Sequence, residues 1–388
     1  MGIKGLNASI KKYSNFIEKN LSDYSNKTIA IDSEILVYKF QIRSYKQTEY
    51  DQNIYHLYAF LNHAISFLKN NIIPIYVFDG GAIPITKQDN CLQKRYLHRE
   101  KSKVKITDLE NKFMNISQKT TDFLDLDING VGSISFADPD TLDILDQLLK
   151  ARDSNPVITK EFRAECKYFL KLLGLPVLSN NGEAEVVAVK LAKNKLVDYV
   201  WSEDSDAIAY GISIEPFNEY IKILKPSDDF NKILEISSQK VLEDLSLTPN
   251  EFIDYCILSG CDYCNTIPRI GPITALKIIK EYKTIEEYLK KHPIRIDFNY
   301  VDARSVFFNP FVNDLNETSL KIGSLDQLNL RQFITIEKGK KPFHVNNIIN
   351  KWSLVINEYN LLNKPPKIIE PKFKKFRYHP KLTIDMFN

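Results

Sequence analysis

Residues 182–211 read GEAEVVAVKLAKNKLVDYVWSEDSDAIAYG. The stretch opens on two acids, Glu183 and Glu185, and runs into an apolar segment. VDYVWSED at 197–204 has the length and the β-branched, aromatic composition of a strand. It stops at Glu203 and Asp204, Asp206 follows, and the chain turns apolar again. Three carboxylates within four residues repel one another unless something cationic lies between them.

Two further strand-like runs end in the same way. KTIAID closes on Asp32 and IIPIYVFD on Asp79, and YHLYAFLNHAISFLKNN between them has helical periodicity. Strand–helix–strand order with near-continuous apolar strands predicts an α/β fold, a mostly parallel sheet covered by helices on both faces. In such sheets a site lies outside the carboxyl ends of the strands, which is where Asp32, Asp79 and Asp204 would stand. Residues i and i+2 of extended backbone project to one side, so Asp204 and Asp206 would converge, and Glu203 would face away in a structural role. Asn180 followed by Glu183 fits a helix-opening capping box, with Glu183 and Glu185 in or just before the first turn. Those two can share an ion only if Glu183 still lies in the turn, because i and i+2 of a helix diverge. The last acid, Asp262, lies in FIDYCILSGCDYCNTIPRIGPITALKIIKEY (252–282), two apolar helices joined by a Gly/Pro hairpin. Main-chain N–H groups and helix N-termini of such hairpins suit phosphate oxygens.

With 388 residues and 44% hydrophobic content the chain can build a large core. Lys plus Arg (52) against Asp plus Glu (49) leaves only +3, so net charge alone does not point to nucleic acid. Distribution says more: residues 87–105 carry seven Lys/Arg and two acids, and residues 121–146 carry seven Asp and no base. The apolar runs are too short to span a bilayer, and the first residues lack a secretory h-region. Five cysteines without a signal fit reduced thiols, hence an intracellular protein rather than a secreted or membrane one.

Taken in order, MGIKGL, AIDSEILVYKF, PIYVFDG, the 182–211 stretch and LSGCDYCNTIPRIGPITALKII resemble the structure-specific 5′ nuclease superfamily, of the flap endonuclease and xeroderma pigmentosum group G type. The resemblance covers about residues 1–300 and includes the spacing of 19 between Glu185 and Asp204. It implies a PIN-like core with a helical arch and a helix–hairpin–helix module. The divisions expected are 1–88 and 166–245 for the core, 89–165 for the arch with its acidic insertion, and 246–300 for the module. Residues 301–362 would be helical and pack on the core, and 363–388 would be a basic tail. It further implies DNA phosphodiester hydrolysis near single-strand/double-strand junctions, with two Mg²⁺ ions or Mn²⁺ in their place. Asp79, Glu183 and Glu185 would serve one ion, Asp204, Asp206 and Asp262 the other, and Asp32 would act through water. Lys87, with Lys94 or Arg95, would face the scissile phosphate. Tyr38 would stack on a base, or else be a core tyrosine. Gly2, Arg269, Gly271, Lys277 and Lys280 would meet DNA, and K⁺ would bind at the hairpin. KLTIDMFN (381–388) weakly matches a sliding-clamp motif, against a plain basic tail. A monomer in the nucleus or cytoplasm, or at a viral replication site, is expected.

The chain departs from the pattern in two places. Arg269 stands where the hairpin usually has Gly, a substitution that is strained if φ is positive. Glu34 adds an acid near Asp32 where a small residue is usual. Rival readings come from other classes. Cys256, Cys261 and Cys264 have the C-x₄-C-x₂-C spacing of an iron–sulfur cluster, with Cys91 or Cys166 needed as the fourth ligand. A catalytically silent DNA-binding scaffold would keep the fold without cleavage. Within the nucleases, a 5′→3′ exonuclease or a gapped-junction endonuclease is the alternative.

Overall fold

The computed structural model describes residues 2–13, 16–44, 49–80, 104–105, 107–109, 111–112, 158–179, 182–216, 219–227, 232–310, 312 and 320–363. Lys87, Lys94, Arg95, Cys91, Asn180, the acidic run 121–146 and the tail motif 381–388 lie outside the described residues.

The strands are β1 (Ile17–Asn20), β2 (Thr28–Asp32), β3 (Ile73–Val77), β4 (Val177–Leu178), β5 (Tyr199–Trp201), β6 (Lys222–Pro226) and β7 (Lys232–Ser237). Among the described residues they form one sheet in the order β1-β7-β6-β5-β2-β3-β4. The β4-β3-β2-β5-β6 run is parallel, and β7 pairs antiparallel with β6 and β1. From β2 the chain builds outward through β3 and β4, then returns to place β5 and β6 on β2's other side. That reversal makes a switch point between β2 and β5, where a crevice opens at the carboxyl ends.

Helices are α1 (Leu6–Tyr13), α2 (Ser33–Ser44), α3 (Glu49–Lys69), α4 (Lys160–Leu172), α5 (Ala184–Lys193), α6 (Asp206–Ser213) and α7 (Ser238–Leu245). They continue with α8 (Pro249–Ser259), α9 (Pro272–Tyr282), α10 (Ile285–Lys291), α11 (Tyr300–Phe308), α12 (Gln327–Gln332) and α13 (Pro342–Leu362). Strand alternation sorts the core into two layers. Ala30, Ile75, Val77 and Val200 join α5, α6, α8, α9 and α11 in one apolar cluster. Ile29, Ile31, Tyr76 and Trp201 join α2, α3, α4 and α13 in the other. The register pairs Ala30 with Ile75 and Ile31 with Tyr76, so neighbouring strands send matched side chains to the same layer.

Local signals explain the helix boundaries around the site. Pro249 opens α8 behind a capping box of Thr248 and Glu251, and Gly260 ends it at φ +110°. Arg269 has φ +66°, so the strain expected at this hairpin position is present. Gly271, at φ −126°, is extended and caps α9. No described helix is long and apolar enough to cross a membrane.

Candidate active site

Asp32, Asp79, Glu185 and Asp204 come within electrostatic reach of one another at the switch point. Asp32 ends β2 and is 3% exposed. Its Oδ2 accepts the Ser202 hydroxyl, just beyond β5, at 2.9 Å, and its Oδ1 accepts the Glu34 amide at 3.2 Å. Burial pushes its carboxyl well above the ordinary range, the charges of Glu185, Asp79 and Asp204 push it further, and the Ser202 bond opposes them. Residues from β2, β3, β5 and α5 are therefore within electrostatic reach of one another.

Asp79, two residues past β3, is held on several sides. Its Oδ1 accepts the Ala184 amide at 2.9 Å, and its own amide donates to Glu34 Oε1 at 3.3 Å. Asp79 thus satisfies an orphan donor of α5. Here the structure corrects the capping-box expectation: Glu183 is itself the N-cap residue, with extended backbone and no side-chain cap bond. Glu183 thus precedes the helix and Glu185 sits in its first turn, so the two are not both on the regular helix, where i and i+2 diverge. The Glu183 side chain, 8% exposed, accepts Tyr263 at 3.0 Å and Tyr210 at 3.4 Å on the same oxygen.

Asp204 and Asp206 also converge for a different reason from the one expected. β5 ends at Trp201, Ser205 is helical in conformation, and Asp206 is the first residue of α6. The pair is an Asx-type turn: the Asp206 amide donates to Asp204 Oδ1 at 3.2 Å. Glu203 turns away to an ion pair with Lys39, as expected for a structural acid. Asp262 is half-buried just past Gly260, next to the Tyr263 that reaches Glu183. Burial raises both tyrosine hydroxyls, with the charges of Asp206 and Glu185 adding to it. Those acids therefore lie close to the tyrosine pair.

The N-terminal segment forms one wall. Gly2 has φ +90°, and a Cβ there would overlap Asp204 Oδ1 and Ser205 Oγ, so only glycine lets the chain pass this close. Ser205 donates to the Ile3 carbonyl at 3.3 Å, and the Lys4 amide donates to the Gly260 carbonyl at 2.9 Å. Lys225, 8% exposed, donates to Asn7 Oδ1 and to the Glu203 carbonyl, each at 2.9 Å. Burial pushes its ammonium down to about 8 against the pull of Asp204, Glu203 and Asp206. Sequence reasoning missed Lys225, Tyr210, Tyr263 and Arg163. Tyr38 is half-buried on α2, and Arg269, Lys277 and Lys280 are exposed about the α9 end of the hairpin.

Among the described residues, no group of three or more His, Cys, Asp or Glu side chains is arranged to hold an ion as it stands. The donor set fits a hard divalent cation all the same. It is all carboxylate oxygen, and Glu185, Asp204 and Asp262 are only half-buried, which leaves room for retained water. Among the described thiols, no four come together for a cluster, and Cys91 lies outside the described residues. Cys256, Cys261 and Cys264 pack in one apolar layer, whereas Cys166 lies in the other, across the sheet.

Comparison with known proteins agrees with this geometry. Residues 1–102 match the XPG N-terminal domain and residues 174–262 the XPG I-region. Flap endonuclease 1 of Entamoeba dispar is 31% identical over 354 residues, 87% of this chain and 84% of the relative. Flap endonuclease 1 of Debaryomyces hansenii is 33% identical over 361 residues, 87% of this chain and 84% of the relative. Among solved structures, flap endonuclease-1 from Methanococcus jannaschii aligns with a TM-score of 0.59 at 20% identity, covering 92% of this chain and 99% of its own. The catalytic core of Rad2 in complex with DNA substrate aligns at 0.62 and 18% identity, covering 90% and 100%. The chain belongs to the flap endonuclease family of XPG-type 5′ nucleases.

Proposed function

We propose that the chain is a divalent-metal-dependent, structure-specific 5′ nuclease that hydrolyses DNA phosphodiesters near single-strand/double-strand junctions. It leaves 5′-phosphate and 3′-hydroxyl ends and acts within the cell on replicating or repaired DNA. The observation that carries this reading is the buried Asp32 carboxyl crowded by Glu185, Asp79 and Asp204 at the β2/β5 switch point. Such crowding is tolerable with charges intact only around cations.

Asp79, Glu183 and Glu185 would hold one Mg²⁺ and Asp204, Asp206 and Asp262 a second, with Mn²⁺ as substitute and Asp32 acting through water. When bound, the ions supply charge stabilisation at the phosphodiester and lower the pKa of an attacking water. The protein contributes orientation. Ala184 and Glu34 fix Asp79, the two tyrosines fix Glu183, and the Asx turn fixes Asp204 against Asp206. Lys87, with Lys94 or Arg95, would neutralise the scissile phosphate, and Tyr38 would stack on a junction base. Arg269, Gly271, Lys277 and Lys280 would grip the duplex backbone, with K⁺ on hairpin carbonyls, and Gly2 would let the N-terminal segment approach DNA beside the acids. A monomer is proposed, with residues 381–388 as a sliding-clamp contact.

The test is cleavage of 5′-labelled flap, nicked and blunt duplex substrates with Mg²⁺. Cleavage at the flap junction is expected. Stepwise release from blunt duplex alone would assign an exonuclease, and inertness on every substrate with Mg²⁺ and with Mn²⁺ would leave a DNA-binding scaffold.

A further inference from the structure

Residue 34 touches two of the acids at once. Its amide donates to Asp32 Oδ1 at 3.2 Å, and its carboxylate Oε1 accepts the Asp79 amide at 3.3 Å. The other oxygen, Oε2, accepts Arg163 Nε of α4 at 2.7 Å, with the two side chains only 16% and 32% exposed. One helical turn on, Lys167 donates to Ser179 Oγ at 2.8 Å and to the Asp79 carbonyl at 3.4 Å. Helix α4 therefore sets one cation against Glu34 and another against the Asp79 main chain. A carboxylate already bonded to a guanidinium and a backbone amide is poorly placed to act as a ligand.

We propose that Glu34 and Arg163 form a positioning bridge. Glu34 ties the end of β2 to the segment after β3 and fixes the spacing of Asp32 and Asp79. Arg163 cancels the charge that this additional acid would bring to the site. The bridge rests on the divalent-metal function proposed above, and partners of this kind orient the groups that do bind metal.

The test uses the full chain without DNA. Free Mn²⁺ is followed by electron paramagnetic resonance in wild type, Glu34→Ala, Arg163→Met and the double variant, with thermal melting in EDTA alongside. Glu34→Ala removes the Asp79 acceptor and leaves Arg163 as an unpaired cation beside the acids, so Mn²⁺ affinity should fall roughly tenfold. The double variant should recover about threefold of that loss, because the cation has gone and only the acceptor is missing. Thermal melting reports whether each variant folds, and Arg163→Met keeps the Glu34 acceptor for the Asp79 amide. Wild-type affinity in Glu34→Ala, or a double variant as weak as Glu34→Ala, would overturn the bridge. Absence of Mn²⁺ binding by wild type would overturn the metal function itself, and the bridge with it.

Discussion

Tyr263→Phe removes one hydroxyl and little else, which makes it a clean probe of how Glu183 is held. In the structure two hydroxyls converge on Glu183 Oε2, Tyr263 at 3.0 Å and Tyr210 at 3.4 Å, and they also bond to each other at 2.5 Å. A buried hydrogen bond to a charged group is worth about 1.5–3 kcal/mol. Tyr210 has room to close part of its gap in the variant, so the lower end, about 1.5 kcal/mol, is the expected loss. That corresponds to a roughly tenfold rise in the Mg²⁺ concentration giving half-maximal flap cleavage. Melting in EDTA should change by only a few degrees, since the ring and its packing on Phe307 remain. The assay is a Mg²⁺ titration of junction cleavage at saturating substrate, with Tyr263→Phe compared with wild type. A folded variant with an unchanged Mg²⁺ requirement would refute the claim that this pair orients Glu183.

Asp206→Ala should abolish cleavage while flap binding, measured by fluorescence anisotropy in Ca²⁺, stays within about threefold of wild type, because a proposed metal ligand is lost and no DNA surface. Arg304→Met should cost about 2–3 kcal/mol in urea unfolding. Arg304 makes a bidentate pair with the 3%-exposed Asp254, and its own partial exposure trims the penalty of a fully buried pair. Burial already raises the Asp254 carboxyl, and without Arg304 it rises further, so the variant's deficit should shrink as pH falls toward 4 and grow as pH rises through the raised value. The Lys225 ammonium, pushed down to about 8, binds fewer protons folded than unfolded between about pH 8 and 10.4. The Lys225 contribution to stability in EDTA should therefore rise with pH across that window, against the opposite trend of the buried Cys166, Cys256 and Cys261 thiols and the Tyr24, Tyr76, Tyr210 and Tyr263 hydroxyls, so the stability of wild type minus that of Lys225→Met should climb from about pH 8 to 10.

The strands and the acids at their ends were legible because both signals are local. A short β-branched run closing on an Asp at 32, at 79 and near 204 needs no partner to be recognised, and the sheet brings the three together. The two geometric expectations that failed also rested on local rules. The residue pattern suggests extended backbone at 204–206, but β5 ends at Trp201 and α6 begins at Asp206, so a turn rather than a pleat brings the pair together. Asn180 and Glu183 have the spacing of a capping box, whereas Glu183 is the N-cap and the Ala184 amide is satisfied by Asp79, more than a hundred residues away. No sequence window contains both partners. Tyr210 lies in an apolar run, where a tyrosine reads as core, and Tyr263 lies between Asp262 and Cys264 with no local sign of a partner; only the fold reveals that their hydroxyls share Glu183. Lys225 and Arg163 look like ordinary surface cations until the first is seen buried under the 203–206 turn and the second bonded to Glu34. The departure at Arg269 was legible and physically right, since its φ of +66° is the conformation the hairpin demands.

The central claim is that acids from the ends of β2, β3 and β5 and from the start of α5 bind divalent metal together. Anomalous scattering from crystals grown with Mn²⁺ tests it most directly. Manganese peaks are expected in contact with carboxylate oxygens of Asp79 or Glu185 on one side and Asp204 or Asp206 on the other. A map with manganese elsewhere, or none at this crevice, would contradict it.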